Sequence, residues 1–434
     1  TGLSSVVIFF ILAVVLLVIG VPVATTLGLS SVIFILLEGI PTSTVIQRMF
    51  AGVDVVALMC IPFFILAGDL MAKGGIAKRL VRVANLVVGN ITGGLAYVTI
   101  IVCALFAAMT GSAMACCVTV GAIMIPFMDE AGYDRSFSAA IVAAGSVLGP
   151  IIPPSTAMII YAANTNTSIS SLYLMGVPAG LLMAVGLCVM SFFYCKKRGY
   201  KGLSKTACLD LKAGEPLSAK SVIMTILGAI PALGSPVIIL GAIFTGICTP
   251  TEASVIAVIY SFIIGIFVYR ELKISDITKV LLGSAKSTAK VMYIVAAAGL
   301  FAWVISYARV PQIILDLLLS ISDSRVILYF IMILVLLVMG CLMDATPIML
   351  ITIPIFMPIC DAVGISRLHF GICMCVAVCI GFVTPPFGTC LFTAMDVAKV
   401  SMTNLVKRLV PFIILMIAIL FLLVYVEPLT MFVI

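Results

Sequence analysis

The chain has very little charge. Of its 434 residues only 9% are Asp, Glu, Lys or Arg, 64% are hydrophobic, and the mean hydropathy is +1.36. A soluble fold needs far more polar surface than this, so the composition excludes one. Alternating strand patterns are also missing, so the long apolar runs predict an all-α integral membrane protein whose solvent is the phospholipid bilayer.

Groups that perform catalysis are scarce as well. The chain has one histidine, His369, and one tryptophan, Trp303. No Ser/His/Asp set, His-Glu metal motif or phosphate-binding glycine loop is present, which argues against an enzyme or an ATPase. His369 falls in a predicted outer loop, so a histidine proton relay is disfavoured, and Trp303 is predicted to anchor the chain at the membrane interface. The net charge of +7 reports membrane orientation rather than a nucleic-acid partner.

The 14 cysteines show neither metal-ligand spacing nor a paired framework. They are therefore predicted to be buried, small apolar residues. Seven of them lie inside apolar segments: Cys60, Cys103, Cys116, Cys117, Cys373, Cys375 and Cys379.

The most informative feature that is present is a proline pair that occurs twice. GSVLGPIIPPSTA at 145–157 is echoed by GFVTPPFGT at 381–389, and an offset of 232 residues carries Pro153 onto Pro385. The flanking glycines follow the same offset, which indicates an internal duplication. In a membrane chain, duplicated broken helices point to a substrate and ion site.

Ten apolar segments are suited to membrane crossings of about 20 residues each. They are predicted at 4–20, 22–37, 54–71, 135–165, 172–194, 221–246, 251–269, 290–307, 366–395 and 409–430. Amphipathic stretches at 74–85 and 310–322 are predicted to be helices that lie along the membrane interface.

Two further apolar segments, 93–128 and 326–360, are each too long for one crossing and contain a polar break. The breaks are TGSA at 110–113 and MDATP at 343–347. Each segment is predicted to be a re-entrant hairpin, which enters the membrane, turns at a polar tip and leaves on the same side. Each repeat then has five crossings and one hairpin, and because five is an odd number the two repeats must be inverted.

The distribution of basic residues predicts the orientation. In this topology 20 of the 24 Lys and Arg residues lie on one side, and only Arg48, Arg309, Arg325 and Arg367 lie on the other. The richer side is therefore cytoplasmic, and both termini are outside. The first repeat covers 1–194, a cytoplasmic linker covers 195–220, and the second repeat covers 221–434.

The proline pairs predict free carbonyl groups. Proline inside a helix lacks an amide donor and displaces the carbonyl group four residues earlier. The first pair is thus predicted to free the carbonyl groups of Gly149 and Pro150, and the second those of Gly381 and Phe382. With nearby hydroxyl groups they would form an oxygen-only set that suits sodium, unless neighbouring helices satisfy the kinks. These hydroxyl groups belong to Ser155, Thr156, Thr384 and Thr389.

Ser112 and Asp344 occupy equivalent positions at the two hairpin tips. A polar tip residue can cap the following half-helix and supply a ligand oxygen, while the half-helix N-terminus attracts an anion. Asp344 at depth needs a cation or donors, although a solvated N-cap nearer the surface is the alternative. The deep segments contain almost no Lys or Arg, so a carboxylate substrate would have to be held by helix ends, hydroxyl groups and bound cations.

Seven segments together resemble one family, the large membrane subunit of tripartite ATP-independent periplasmic (TRAP) transporters, and they cover nearly the whole chain. They are IPFFILAGDLMAKGGIAKRL at 61–80, MTGSAMA at 109–115, GPIIPPSTAMIIYA at 149–162, SISSLYLMGVPAGLLM at 168–183, FTGICTPTEAS at 244–254, MDATPIML at 343–350 and GFVTPPFGTCLF at 381–392.

The resemblance implies sodium-driven uptake of an organic acid, such as a C4-dicarboxylate, sialic acid or a sugar acid, across the bacterial inner membrane, with both termini periplasmic. It implies two partners, a periplasmic substrate-binding protein and a small four-helix membrane subunit. It also implies an elevator mechanism, with a transport domain from about 54–165 and 290–395 and a scaffold from the remaining spans.

Carried over by motif position, the resemblance implies two sodium (Na+) sites, one at each tip and break. The sodium ligands would come from Ser112, Gly149, Pro150, Ile152, Asp344, Thr346, Gly381 and Thr384. The substrate contacts would come from Ser112, Ser155, Thr156 and Thr389.

Three other functions remain open at this point. A stand-alone sodium/dicarboxylate symporter of the same architecture would need no binding protein. A channel would conduct without saturation, and a structural membrane scaffold would show no ligand-dependent change at either break.

Overall fold

The computed structural model describes residues 3–202, 219–322 and 324–433. Every regular element in these residues is helical, so the predicted all-α membrane class is confirmed. Eight of the described helices are long and apolar enough to cross a membrane, and seven further apolar helices have only 10–17 residues. Length and composition therefore leave the count of ten crossings as a prediction.

The first half of the chain forms ten α-helices, and a single turn of 3-10 helix at Val56–Met59 precedes the fourth. They are α1 Leu3–Val18, α2 Val23–Leu37, α3 Ser43–Val53, α4 Cys60–Lys73, α5 Ile76–Val88, α6 Gly94–Thr110, α7 Ala113–Glu130, α8 Arg135–Ser146, α9 Thr156–Thr165 and α10 Ile169–Arg198.

The second half also forms ten α-helices, and a π-helical turn at Ile264–Val268 extends the second of them. They are α11 Ala219–Phe244, α12 Pro250–Ile263, α13 Ile274–Tyr307, α14 Val310–Ile321, α15 Arg325–Gly340, α16 Ala345–Ala362, α17 Arg367–Gly381, α18 Thr389–Ala398, α19 Met402–Tyr425 and α20 Pro428–Met431.

The two predicted hairpins are each a pair of helices. Tip 1, the turn at Gly111 and Ser112, joins α6 to α7, and tip 2, at 341–344, joins α15 to α16. The helices after the tips, α7 and α16, have the same length of 18 residues and start and end at the offset of 232. The amphipathic stretches before the hairpins form α5 and α14, as predicted.

Both proline pairs interrupt a helix. Break 1 covers 147–155 between α8 and α9, and break 2 covers 382–388 between α17 and α18. The Pro153-Pro154 and Pro385-Pro386 peptide bonds are both cis. The predicted spans 135–165 and 366–395 are therefore each two half-helices joined by a non-helical segment.

Two helical segments were not predicted. One is α3, whose Gly52 crosses α13 so closely that a Cβ on Gly299 would lie 2.9 Å from the Gly52 Cα. The other is the first half of α13, which begins at Ile274 rather than at 290. A search for long apolar runs overlooks both, because each mixes polar residues into a helix whose remaining face packs on its neighbour.

His369 was expected in an outer loop, and this expectation is wrong. It lies in the first turn of α17 and is fully buried. Its Nδ1 lies 3.1 Å from the Tyr329 hydroxyl group, and its Nε2 lies 3.0 Å from the Leu423 carbonyl oxygen. The ring therefore joins α15, α17 and α19 as a hydrogen-bonded core residue.

The packing places α10 and α19 against the broken helices. Helix α10 contacts α6, α9 and α17, and α19 contacts α8 and α17. Helix α13 packs on α2, α3 and α4 and also reaches α16. Most of the predicted linker, 203–218, lies outside the described residues.

Candidate substrate and ion site

Both tips and both breaks meet at one cavity of about 220 Å³, which we call the central cavity. Four predicted residues on its wall come from the two tips and the starts of two helices: Ser112, Thr156, Asp344 and Thr389. Pro150 and Thr346 line it too. The other predicted site residues lie behind the wall: Gly149, Ile152, Ser155, Gly381 and Thr384.

Four helices begin at the wall of the central cavity. The first residues of α7, α9, α16 and α18 all line it: Ala113, Thr156, Ala345 and Thr389. Each helix N-terminus carries unpaired amide groups and a partial positive charge. The cavity wall contains no Lys, Arg or His, so these helix ends are its main source of positive potential.

Tip 1 rests directly on break 1. Ser112 is the N-cap of α7, and its hydroxyl oxygen accepts a hydrogen bond from the Ala115 amide at 3.3 Å. A Cβ on Gly149 would lie 2.7 Å from the Ala113 amide nitrogen, and a Cβ on Gly111 would overlap the Pro154 carbonyl oxygen. Because only glycine allows this approach, tip 1 and break 1 form one unit.

Break 1 is buried and is covered by α10. The hydroxyl oxygen of Ser155 caps α9 by accepting from the Met158 amide at 3.3 Å, and the Ser155 amide donates to the Tyr173 hydroxyl group on α10. The hydrogen bonds among the described residues supply no donor to the carbonyl oxygens of Gly149 and Pro150. Both carbonyl groups thus fit the predicted role as ligands of a small cation.

Break 2 is different, and the prediction that it frees two carbonyl groups is wrong. The Gly381 carbonyl oxygen accepts from the Thr384 amide at 3.0 Å, and the Phe382 carbonyl oxygen accepts from the amides of Cys390 and Leu391 at 3.0 and 3.3 Å. The chain folds back after the prolines, so the unpaired amides at the start of α18 reach Phe382. The Gly381 oxygen keeps its second lone pair for a cation, whereas the Phe382 oxygen, which accepts two hydrogen bonds, keeps none.

Tip 2 leaves its polar side chain free. Asp344 occupies the N-cap position of α16 but makes no capping hydrogen bond with its side chain. The side chain is exposed to the central cavity and to a second cavity of about 460 Å³ beside α13. Asp344 is thus at the predicted N-cap position and faces two cavities, and its predicted role as an ion ligand stays a prediction.

Two arginines tie the repeats together at opposite ends. Arg135 pairs with Asp129 at 2.9 Å and donates through Nε to the Ala398 carbonyl oxygen at 2.7 Å. Arg367, at the offset of 232, pairs with Asp361 at 2.6 Å and donates to the Thr165 carbonyl oxygen at 3.4 Å. Each of these carbonyl groups belongs to the last residue of a half-helix in the other repeat. Each arginine therefore caps the C-terminus of that half-helix. We call these arrangements the two arginine clasps.

The sequence analysis did not predict the arginine clasps. The offset of 232 between Arg135 and Arg367 was the signal in the sequence that pointed to them. The prediction that the cysteines are buried is confirmed for the seven singled out by sequence, whereas Cys188, Cys248 and Cys341 are only partly buried. No group of three or more His, Cys, Asp or Glu that could hold a metal ion occurs in the described part of the chain. The candidate ion ligands are therefore carbonyl and hydroxyl oxygens together with Asp344.

The fold is that of a membrane transporter. Across 89% of both chains it matches the crystal structure of the Alcanivorax borkumensis YdaH transporter, with a TM-score of 0.65 at 14% sequence identity. A family model described as the DctM component of tripartite ATP-independent periplasmic transporters matches residues 10–429. The chain belongs to this family.

Several curated relatives agree with this assignment. The C4-dicarboxylate TRAP transporter large permease of Rhodobacter capsulatus is 32% identical and is aligned over 98% of both chains. The sialic acid TRAP transporter large permease of Vibrio cholerae is 35% identical over 79% of this chain and 78% of its own length. The isethionate TRAP transporter permease of Oleidesulfovibrio alaskensis is 38% identical over 96% of this chain, which spans 64% of the length of that relative.

Proposed function

We propose that the chain is the large transmembrane subunit of a sodium-coupled uptake system for a small organic acid in the bacterial inner membrane. The observation that carries the proposal is the convergence of four helix N-termini on one cavity whose wall has no basic side chain. Such ends are suited to a carboxylate or sulfonate group, because their amide donors point at the ligand and their dipoles favour negative charge.

Sodium is the proposed coupling ion. Break 1 offers two carbonyl oxygens without a donor next to Ser112, and tip 2 offers the carboxylate of Asp344. Each net positive charge that moves inward yields about 2.3 kcal/mol per 100 mV of membrane potential. Two sodium ions with a monoanion would therefore draw on both the potential and the sodium gradient.

The proposed motion is an elevator movement of the hairpins and broken helices against a scaffold. The division predicted from sequence placed the spans 172–194 and 409–430 in the scaffold. Their helices, α10 and α19, pack on α6, α8 and α17, and the division stays a prediction. The partners would be a small four-helix membrane subunit and a periplasmic binding protein, with both termini of this chain periplasmic.

The decisive experiment is uptake by proteoliposomes that contain this chain and its small subunit. Isethionate, succinate and N-acetylneuraminate are each supplied with candidate binding proteins, in sodium and then with choline or potassium in its place. We expect uptake only with sodium and only with a binding protein. Full-rate uptake without a binding protein would support the stand-alone symporter, and uptake without sodium would contradict the coupling.

Substitutions at the breaks and at tip 1 test where the sodium ion binds. Pro153→Ala should raise the sodium concentration for half-maximal uptake more than Pro385→Ala, because the Gly149 and Pro150 carbonyl oxygens have no donor among the described residues, whereas those of Gly381 and Phe382 accept hydrogen bonds. Ser112→Ala should act in the same direction. Pro126→Ala is the matched control, since Pro126 is an exposed proline inside α7 away from the cavity wall.

A further inference from the structure

The second cavity lies between the start of α2, the middle of α13 and tip 2. Its volume is about 460 Å³, and Asp344 and Thr389 line both it and the central cavity. The two cavities therefore adjoin at these two side chains. On the α13 side, the wall of the second cavity includes Lys290 and Tyr293.

Lys290 lies where the sequence of α13 changes from mixed to apolar. It lies near the middle of α13, which runs from Ile274 to Tyr307, and it is followed by an apolar run to the end of the helix. It is also the first residue of the predicted crossing 290–307, so what singles it out is its place on the wall of the second cavity rather than its depth in the membrane. Its ammonium group is exposed to the cavity and takes part in none of the ion pairs within 4.0 Å among the described residues.

Among the residues that the structure describes, Lys290 is also the one basic side chain on the walls of the two adjoining cavities. Asp344 lies within its electrostatic reach but does not pair with it directly. Tyr293 lies one helical turn further along the same face of α13 and is 51% exposed, so its hydroxyl group can donate beside the ammonium group. This pair of donors lines the cavity that adjoins the central cavity at Asp344 and Thr389.

We propose that Lys290, assisted by Tyr293, binds the anionic group of the substrate and sets the preference for carboxylates and sulfonates. The proposal rests on the transport function proposed above. Helix ends hold the anion in the central cavity, and Lys290 receives it at the side of α13. A charge-assisted hydrogen bond to an ammonium group is about twice as strong as one between neutral groups.

Direct binding tests this role separately from transport. The complex of this chain with its small subunit, in lipid nanodiscs with sodium, is titrated calorimetrically with isethionate, succinate and N-acetylneuraminate as probes. We expect wild type to bind at least one probe, Lys290→Gln to bind it about tenfold more weakly, and Lys290→Arg to retain most of the affinity. Tyr293→Phe should weaken binding by a smaller factor, and it serves as the test if Lys290→Gln does not fold.

The matched control is Lys286→Gln, an exposed lysine one turn earlier on α13 that lies off the cavity wall. It should bind the probe as wild type does. Equal affinity for wild type and Lys290→Gln would overturn the proposal, as would the absence of probe binding by wild type. A shift in the sodium requirement with unchanged probe affinity would also overturn it, because Lys290 would then act through Asp344. If wild type binds the probe but shows no sodium-dependent uptake, that result would instead contradict the proposed transport function.

Discussion

The two proline breaks share a sequence pattern but not an environment. Break 1 is almost entirely buried, whereas break 2 exposes Pro386 and leaves Phe387 58% exposed. The cause lies in the second helix after each break, which is α10 for break 1 and α19 for break 2. Helix α10 brings Gly176 and Gly180 against break 1, so that a Cβ on Gly176 would lie 2.7 Å from the Ile151 carbonyl oxygen.

The two glycines of α10 that approach break 1 have no glycine counterparts in the second repeat. At the offset of 232, the glycines of α10 are replaced in α19 by Arg408 and Phe412. Large side chains keep a helix away from a neighbouring backbone, and small ones allow close approach. Duplication has thus preserved the breaks while the covering helices have diverged, and break 1 is buried whereas break 2 is partly exposed.

The largest expected loss of stability comes from disrupting the packing of α10 against break 1. Gly176→Val places two methyl groups where the Ile151 carbonyl group and the Met158 side chain already lie. Overpacking of this kind costs about 3 kcal/mol, so we expect a marked fall in the unfolding temperature of the purified protein and in its yield.

The matched control for this change is Gly241→Val on α11. A Cβ on Gly241 has no neighbour within 4 Å. Its substitution should leave the unfolding temperature close to that of wild type. Equal effects of the two variants would mean that α10 does not seal break 1.

A smaller effect is expected from the hydroxyl groups of the two breaks. Ser155→Ala removes the cap of α9 and leaves the buried Met158 amide without its acceptor, which should cost about 1 kcal/mol. Thr384→Val should be nearly neutral, because the Thr384 hydroxyl group only donates to the Ile380 carbonyl oxygen, in the last turn of the preceding helix α17, at 2.8 Å. Thermal unfolding of both variants in the same detergent measures the difference, and a larger loss for Thr384→Val would reverse the comparison.

The sequence predicted where the chain breaks but not what each break binds to. Proline chemistry is local, so both breaks, both tips and the set of polar residues that line the central cavity follow from the pattern and its offset. The donors to the Phe382 carbonyl oxygen come from Cys390 and Leu391, after a reversal of the chain that no local rule specifies. The burial of His369 depends likewise on Tyr329 and Leu423, which are distant in sequence.

Substitutions in the arginine clasps should have the smallest effect on the free energy of unfolding. They also test most directly whether the two repeats are equivalent. Arg135 and Arg367 have side chains that are each 45% exposed, so each ion pair should contribute less than about 1 kcal/mol. Their environments are alike, unlike those of the breaks, so Arg135→Gln and Arg367→Gln should lower the free energy of unfolding by similar small amounts.

The shorter hydrogen bond of Arg135 to the end of α18, at 2.7 Å against 3.4 Å for Arg367 to the end of α9, makes Arg135→Gln the slightly larger of the two. Denaturation in matched detergent at low and high salt measures both losses. Salt should reduce the loss from each variant, because exposed pairs are screened. If one variant lost several times more free energy of unfolding than the other, the two clasps would not be equivalent. The difference between the two breaks would then extend to the ends of the half-helices.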